Sequence, residues 1–556
     1  MIRNDLIEYR IVLCILALIC LNTAVWSAPD CTVFVTSYMQ RCSATTLPSE
    51  GRALNTLNIF ASPGEYEPCT FSVRANEDLR GISVEVSDLK GEKGIIPKAN
   101  IVVRKAEIST RGTTNPEKVI AVECYLPKFT SIDIPKDTTQ RFWLTVHVPE
   151  SAKPGKYTAT ITLKIEGKAF KTLKLKLDVL PIKLLPPKDI AYFMYYGVHF
   201  APKFTRNLVY HRMAALDMKA HGMNSATAYM WAGAQPDGHV ELVENHNPNA
   251  LSPVPQIELL KDTGLVTPGI PIIWIGSAES GNLQVYEAMY TEAKKRNWPE
   301  ILLYVVDEPV TEKQQEQVIA IMAKVDEFKK SHPDIKVRTT TAINAVTIDK
   351  VGKYYDIWIV YASDVTETMV EQAKRMGKEL WSYDCALAPV DAQTSRFSFG
   401  FWAWKAGLKG VSNWTYADVP KIYDGGAWDP SDKEGVGVLS FVWPTPKEPI
   451  PSISWEAIRE GVDDYRYLTT LKDAIENAKA AGKTELAGEA ERVLNDVESR
   501  VHVNSFTKSY IAACKGKDNQ ENQAYIYNRP PPEPDMPLGY DGLRSRIAQE
   551  IIKLGK

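Results

Sequence analysis

The sequence has no excess of positive charge, and it has few histidines and cysteines. Its 65 Lys and Arg are offset by 68 Asp and Glu, which gives a formal net charge of -3. Proteins that bind nucleic acids or anionic membranes usually carry a strongly basic surface, so neither partner is expected. The histidines form no cluster, and no Cys-x-x-Cys motif occurs. We therefore expect no metal site and no cofactor.

Long apolar runs are also missing, except at the amino terminus. Arg3 and Arg10 precede an apolar stretch at residues 11–21, and small residues follow near position 27. This pattern is typical of a signal peptide over residues 1–27 and predicts an exported protein, either secreted or periplasmic. An uncleaved N-terminal anchor is the alternative, although a spanning helix needs about 20 apolar residues. No integral membrane span is expected after removal of the signal.

Cysteine is scarce, with eight in the whole chain, of which Cys14 and Cys20 lie in the signal. Four others fall early in the mature chain, at Cys31, Cys42, Cys69 and Cys124. In an oxidising compartment they could form one or two disulfides. The sequence leaves open whether they pair or remain free thiols.

The remaining pattern predicts a multidomain chain that begins with a β-rich domain. Residues 28–181 contain short runs of alternating apolar and polar residues, such as "GISVEVSDL" and "YTATITLKI", separated by Gly and Pro. This spacing predicts an all-β sandwich. Residues 182–189, within the proline-rich "LPIKLLPPKD", are interpreted as a linker.

After the linker, apolar strand-like runs alternate with amphipathic helical stretches. Eight such units fall within residues 190–482, which predicts an α/β domain of the (β/α)8 TIM-like barrel type. A doubly wound sheet is the alternative, but no glycine-rich phosphate fingerprint follows any strand. The last barrel helix is expected to begin at Ser454 as its cap. Residues 483–556 are interpreted as a helical C-terminal extension with a Pro-rich loop.

The stretch "LLYVVDEPV" places two acids, Asp307 and Glu308, directly after the predicted fourth strand. Active sites of α/β barrels lie at the carboxyl ends of the strands, so this position favours a catalytic role over a helix cap. Aromatic and polar residues end other strands in the same way. These candidates for substrate binding are Tyr195, Tyr196, Trp274, Tyr361, Tyr383, Asp384, Trp414 and Tyr416, with His199 as a weaker one. Rings around carboxylates are typical of a sugar-binding cleft.

Two adjacent carboxylates are an unusual pair for cleaving a glycosidic bond. Neighbouring side chains on a strand diverge, whereas ordinary retaining glycosidases hold two carboxyl groups about 5–5.5 Å apart across the sugar. The pair suits a substrate-assisted reaction better. One acid would protonate the leaving oxygen, while the other would orient an N-acetyl group of the substrate that attacks the anomeric carbon.

Three segments together resemble glycoside hydrolase family 123 and the related family, once of unknown function, that shares its catalytic domain. They are "LLYVVDEP", "WSYDC…RFSFGFWAWKAGLKGVSNWTY" and "SWEAIREGVDDYRYLTTL". The resemblance implies a retaining β-N-acetylgalactosaminidase acting on a glycan or glycoconjugate. It implies that Asp307 holds the acetamido group and that Glu308 is the general acid and later the base. It also implies a tyrosine on the acetamido oxygen, for which Tyr383 and Tyr416 are the candidates.

The sequence leaves three alternatives open. The protein could be a glycosidase for a sugar without an acetamido group, with Glu308 and a second carboxylate such as Asp384. It could also be a barrel that binds carbohydrate without turnover. A metal-dependent hydrolase is the least favoured, because no His/Asp cluster at the strand ends has ligand spacing.

Overall fold

The computed structural model describes residues 28–53, 55–112, 119–197, 207–230, 232, 240–243, 252–276, 281–384, 391–417, 440–514 and 539–555. The predicted signal peptide, His199 and most of the proline-rich loop lie outside these residues. Within the described part, no helix is both long and apolar enough to cross a membrane.

The amino-terminal domain is built from two packed antiparallel sheets. Its strands are β1 (Cys31–Phe34), β2 (Thr56–Ala61), β3 (Tyr66–Ala75), β4 (Leu79–Val86), β5 (Leu89–Gly91), β6 (Gly94–Ile96), β7 (Ile101–Lys105), β8 (Ile108–Gly112), β9 (Val119–Glu123), β10 (Ile132–Ile134), β11 (Thr139–His147), β12 (Gly155–Ile165) and β13 (Lys168–Val179). A four-stranded sheet has the order β1-β3-β11-β7, and a seven-stranded sheet contains the path β10-β4-β12-β13-β2, whose β13-β2 pair is parallel. The strands β8 and β9 pair separately.

The two sheets share one apolar core, as the alternating pattern predicts. Phe71 and Val73 of β3 point into this core from one sheet, and Ile161 and Leu163 of β12 point into it from the other. The alternate residues face outward, because successive side chains of a strand lie on opposite faces. The four cysteines described in this domain are free thiols.

The second domain contains a parallel eight-stranded sheet surrounded by helices. Its strands are β14 (Ala191–Tyr192), β15 (Thr227–Met230), β16 (Ile272–Gly276), β17 (Ile301–Tyr304), β18 (Thr339–Ala342), β19 (Ile357–Tyr361), β20 (Glu379–Tyr383) and β21 (Gly410–Val411), followed by a small hairpin of β22 (Val442–Trp443) and β23 (Ile450–Pro451). Its helices are α1 (Leu208–Ala220), α2 (Pro253–Asp262), α3 (Leu283–Arg296), α4 (Glu312–Ser331), α5 (Ala345–Val351), α6 (Glu367–Arg375), α7 (Ala392–Phe399), α8 (Phe401–Ala406) and α9 (Ile453–Ala480).

The strand order is β14-β21-β20-β19-β18-β17-β16-β15, so each strand from β15 to β21 lies beside its neighbour in the chain. This order rules out the doubly wound alternative, in which the strand order reverses part-way through the sheet. The sheet is curled in the manner of a barrel but is not closed by a ladder between β14 and β15. Single hydrogen bonds join its two ends instead. The Tyr192 carbonyl accepts from Asn224 N–H and Ser225 N–H at 3.0 Å, and Asn224 Oδ1 accepts from Tyr192 N–H at 2.7 Å. Thr227 Oγ1 accepts from Tyr196 N–H at 3.0 Å.

Residues of the eight strands alternate between an inner layer and an outer one. In β16, Ile273 and Ile275 belong to the inner cluster, whereas Ile272 and Trp274 pack in the outer core against the helices. Both sides of each strand are buried, as in parallel sheets whose faces are both covered. This alternation decides which residues at the strand ends can face the cleft.

The carboxyl-terminal region adds α10 (Thr484–Ser499), α11 (Ser505–Cys514) and α12 (Gly539–Leu554). Helices α10 and α12 pack beside α9, the long helix that lies between the domains, whereas α11 packs against residues Ala362–Asp364 after β19. The cap of α9 is Ser452, whose hydroxyl accepts from Trp455 N–H at 3.1 Å, and Ser454 lies inside the first turn. The sequence prediction of Ser454 as the cap was therefore wrong by two residues. Ser452 has the extended backbone that a cap requires.

Candidate active site

The turn after β17 holds the two acids in a strained backbone conformation. Val306 and Glu308 have positive φ angles of 50° and 40°. A β-branched residue rarely adopts such a φ, and each left-handed residue of this kind costs about 1–3 kcal/mol. Surrounding groups hold the turn in place. Thr341 Oγ1 donates to the Val306 carbonyl at 2.6 Å, and the Tyr355 hydroxyl donates to the Val305 carbonyl at 2.8 Å.

Asp307 is held in place by a hydrogen bond from a buried tyrosine. The Tyr304 hydroxyl donates to Asp307 Oδ1 and accepts from the Ala342 backbone N–H at 3.0 Å. Asp307 remains accessible to solvent, but the protein packed beneath it desolvates the carboxylate and raises its pKa, and the charge of Glu308 adds to this effect. The hydrogen bond from Tyr304 opposes the rise without cancelling it.

Glu308 reaches in a different direction, across the inner layer to two other tyrosines. The Tyr383 hydroxyl donates to Glu308 Oε1, and the Tyr361 hydroxyl lies 3.5 Å from the same oxygen. The two rings are neighbours, with centroids 4.4 Å apart. Burial raises the pKa of Tyr383, and Tyr361 and Glu308 add to the rise, so its hydroxyl remains a proton donor.

An aromatic wall continues from these tyrosines along the strand ends. The ring of Tyr195 lies 5.9 Å from that of Tyr383 and 5.6 Å from that of Trp414. Tyr195 and Tyr383 are buried, whereas Tyr361 and Trp414 are only half-buried. The two half-buried rings are therefore the ones that can offer a face to a sugar.

Three predicted substrate-binding residues lie on the outer side of the sheet, where the structure gives them other partners. Tyr196 packs edge-on against Tyr416, with centroids 5.1 Å apart, and the Tyr416 hydroxyl donates to Asp217 Oδ2 at 2.9 Å. Trp274 is fully buried and donates to the Met230 carbonyl at 3.1 Å. The structure does not support sugar contact for these three, because the sheet separates them from Glu308.

The structure also gives the surroundings of three residues whose roles the sequence left open. Of the two tyrosines considered for the acetamido oxygen, Tyr383 faces the acids, whereas Tyr416 faces Asp217. Asp384 is buried directly after Tyr383, and its carbonyl accepts from Trp414 N–H at 2.9 Å.

Sequence reasoning missed Tyr304, since it lies inside the apolar run "LLYVV". The available signal was its position three residues before Asp307 on an alternating strand. Tyr304 belongs with Leu302 to the inner layer, while Leu303 packs outward.

The described surroundings of the two acids consist of tyrosines and backbone groups rather than basic side chains. Among the described residues, no Lys, Arg or His forms an ion pair with Asp307 or Glu308. The same part of the chain contains no group of three His, Cys, Asp or Glu residues arranged to hold a metal. The described part of the site thus combines two carboxylates, tyrosine hydroxyls and aromatic faces, which suit proton transfer and sugar binding.

Comparison with known proteins agrees with this architecture. Residues 44–165 match the glycoside hydrolase 123 N-terminal domain, and residues 283–471 match the glycoside hydrolase 123 catalytic domain. No curated protein sequence matches the chain.

Among solved structures, a family 123 glycoside hydrolase from Clostridium perfringens is similar over 95% of this chain and 99% of its own, with a TM-score of 0.64 and 13% identity. At that identity the likeness shows a shared fold. A family 39 glycoside hydrolase from Bacteroides cellulosilyticus is 12% identical over 74% of this chain and 82% of its own, and its TM-score of 0.34 is too low to inform the site. The two matched domains together span more than half of the sequence and include Asp307 and Glu308. The chain belongs to glycoside hydrolase family 123.

Proposed function

We propose that this protein is a retaining β-N-acetylgalactosaminidase that uses the 2-acetamido group of its substrate as the nucleophile. Family membership supports a glycoside hydrolase, and the finer assignment rests on one observation. Asp307 and Glu308 are adjacent, yet Asp307 accepts from Tyr304 of β17, the strand that both acids follow, whereas Glu308 accepts from Tyr383 of β20 and lies near Tyr361 of β19. They are thus directed to two parts of one sugar rather than to opposite faces of the anomeric carbon.

In the first step of the proposed reaction, the acetamido carbonyl oxygen attacks the anomeric carbon. The bond to the leaving oxygen breaks, and Glu308 gives its proton to that oxygen. Asp307 accepts a hydrogen bond from the acetamido N–H and stabilises the positive charge that develops on the resulting oxazolinium ring. Tyr383 and Tyr361 hold Glu308 Oε1, which leaves the other oxygen as the one that delivers the proton.

In the second step, the Glu308 carboxylate takes a proton from water as the water oxygen attacks the anomeric carbon. The bond to the acetamido oxygen breaks, and the acetamido group is regenerated. Two displacements at the same carbon leave the sugar with its original anomeric configuration. Glu308 then carries a proton again and is ready for the next turnover.

The comparisons support a glycan as the substrate class. The family 123 enzyme from Clostridium perfringens was described for glycolipid glycan hydrolysis. We propose glycans or glycoconjugates with a terminal β-linked N-acetylgalactosamine as the substrates of this chain. The signal-like N-terminal segment further suggests that it meets them after export.

The test is hydrolysis of four aryl glycosides, namely β-GalNAc, β-GlcNAc, β-galactose and β-glucose. The wild type and the Glu308→Gln and Asp307→Asn variants are measured together. We expect release from β-GalNAc, with strong loss in both variants. Tyr196→Phe is a matched control, because its hydroxyl is buried on the outer side of the sheet and should leave the selectivity unchanged.

Turnover of β-galactose by an active Asp307→Asn variant would overturn the acetamido mechanism. It would direct attention to a second carboxylate such as Asp384. Binding without turnover of any of the four glycosides would favour a carbohydrate-binding barrel.

A further inference from the structure

We propose that Tyr304 is a positioning residue that fixes the orientation and the ionised state of Asp307 for catalysis. This inference rests on the proposed function, because it concerns the acid that receives the acetamido group. Tyr304 does not touch the reacting atoms in this account. It acts through Asp307 alone, and no motif of the sequence pointed to it.

The two hydrogen bonds of the Tyr304 hydroxyl fix the direction in which it donates its proton. The hydroxyl oxygen accepts from Ala342 N–H at 3.0 Å, which anchors it to the neighbouring strand β18. Its single proton is then donated to Asp307 Oδ1. The ring itself is 1% exposed and packed in the inner layer, so it cannot turn away. Asp307 Oδ1 is therefore held at a fixed point relative to the sheet.

The surroundings make this hydrogen bond the main interaction favouring the charged carboxylate. Burial and the neighbouring Glu308 raise the pKa of Asp307, and hydrogen bonds from Tyr304 and from the Glu308 backbone N–H oppose the rise. The other titratable groups nearby are Tyr355, which donates to the Val305 carbonyl, and Tyr195, which lies close to Tyr304. In the described part of the chain no cation faces Asp307.

The consequence is a defined pH effect. Asp307 must be ionised to stabilise the oxazolinium ring, so activity is lost as the pH falls through its pKa. Tyr304 lowers that pKa by donating to the carboxylate. Removing the hydroxyl raises it, and the acid limb of the pH profile moves to higher pH. Because Asp307 and Glu308 interact, the limb reports the pair, and the measured quantity is its displacement between variants.

The experiment compares Tyr304→Phe with Tyr355→Phe. Both changes remove one buried phenol hydroxyl that bonds the same segment, but only Tyr304 bonds the carboxylate. Values of kcat and KM are measured on aryl β-GalNAc from pH 3 to 9. For Tyr304→Phe we expect kcat to fall about tenfold or more and the acid limb to rise by about one pH unit. Tyr355→Phe should leave the limb in place.

A substitution that keeps the hydroxyl tests the same idea in the opposite direction. Placing 3-fluorotyrosine at position 304 preserves the packing and makes the hydroxyl a stronger donor. The acid limb is then expected to move to lower pH than in the wild type. This measurement also covers the case in which Tyr304→Phe folds poorly, which thermal unfolding of each variant would reveal.

Three outcomes would overturn the inference. The limb could stay in place in Tyr304→Phe, it could move equally in both phenylalanine variants, or fluorination could fail to move it. In each case the proposed function survives if the wild type still requires the acetamido group. A wild type that cleaves only sugars without that group would overturn the function and this inference together.

Discussion

At the junction of the two domains carboxylates lie beside arginines, whereas at the strand ends of the second domain they lie beside tyrosines. Arg544 of α12 reaches Asp464 at 2.7 Å, Glu460 at 2.8 Å and Glu67 of the β-rich domain at 3.3 Å. Arg396 adds a second bond to Asp464 at 2.7 Å. All of these side chains are almost wholly buried.

The difference separates acids that hold the structure together from the two acids that we propose carry out catalysis. A guanidinium ion supplies a full opposite charge, although burial still raises the pKa of Glu460 and of Glu67 beside Arg544. Burial alone would raise the pKa of Glu456 at the junction, but Arg459 and His221 lower it well below its usual range. A tyrosine hydroxyl orients a carboxylate without neutralising it. Desolvation therefore keeps the pKa of Asp307 raised, although the hydrogen bond from Tyr304 opposes the rise.

The largest expected effect is the loss of the general acid. Glu308→Gln keeps the size of the side chain but cannot donate the proton, so kcat/KM on β-GalNAc substrates should fall about 1,000-fold. The melting temperature should hardly change, because no partner charge is left behind. Substrates with poorer leaving groups should lose more activity than aryl glycosides. An equal loss for all leaving groups would speak against a role in protonation.

The corresponding change at the junction should damage stability instead. Arg544→Met removes the charge that faces Glu460, Asp464 and Glu67, which should lower the free energy of unfolding by about 3–5 kcal/mol. Arg546→Met is the matched control on the same helix. Its side chain is 34% exposed and pairs with Asp496 at the surface, so its loss should cost less than about 1 kcal/mol. Equal effects in denaturant unfolding would contradict the structural role of the junction.

Smaller effects are expected for two tyrosines on opposite sides of the sheet, one of which should affect activity and the other stability. Tyr383→Phe removes the donor to Glu308 and should reduce kcat by about 10–100-fold with little change in stability. Tyr416→Phe removes the donor to Asp217 and should lower stability by about 1–2 kcal/mol, with activity largely kept. Kinetics and thermal unfolding are measured on both variants. We expect Tyr383→Phe to lose activity and Tyr416→Phe to lose stability. Greater activity loss in Tyr416→Phe would mean that the inner and outer assignments are wrong.

The smallest expected effect is on stability, and it arises because the folded protein disfavours the charged form of Asp307. Its pKa is raised in the folded protein, so the ionised form destabilises the fold at pH values above its usual pKa. Asp307→Asn should therefore raise the melting temperature slightly at pH 7 while abolishing activity. At pH 3, where Asp307 is protonated in both states, the two proteins should melt alike. Because the side chain is accessible, the gain should stay below about 1 kcal/mol.

Several of these features could be predicted from sequence because local pattern determines them. The eight strands follow from apolar runs alternating with helical periodicity. Asp307 and Glu308 were found because two acids end such a run. Tyr361 and Tyr383 were predicted as substrate-binding residues because each is the last residue of one of two neighbouring strands.

Other features were not predictable, since both faces of these strands are buried. Nothing in "YFMYYG" shows that Tyr195 points inward and Tyr196 outward, because neither face is marked by polar residues. For the same reason Tyr304 looked like one more apolar residue. The cap at Ser452 rather than Ser454 depends on where the backbone becomes extended, and either serine suits that role.

The most direct test of acetamido participation uses the substrate rather than the protein. Aryl β-GalNAc substrates are prepared with N-acetyl, N-fluoroacetyl, N-difluoroacetyl and N-trifluoroacetyl groups. Each fluorine makes the carbonyl oxygen a weaker nucleophile and changes its size little. If that oxygen attacks the anomeric carbon, kcat/KM should fall steeply along the series. Values that stay constant would contradict the mechanism and leave Asp307 without its proposed role.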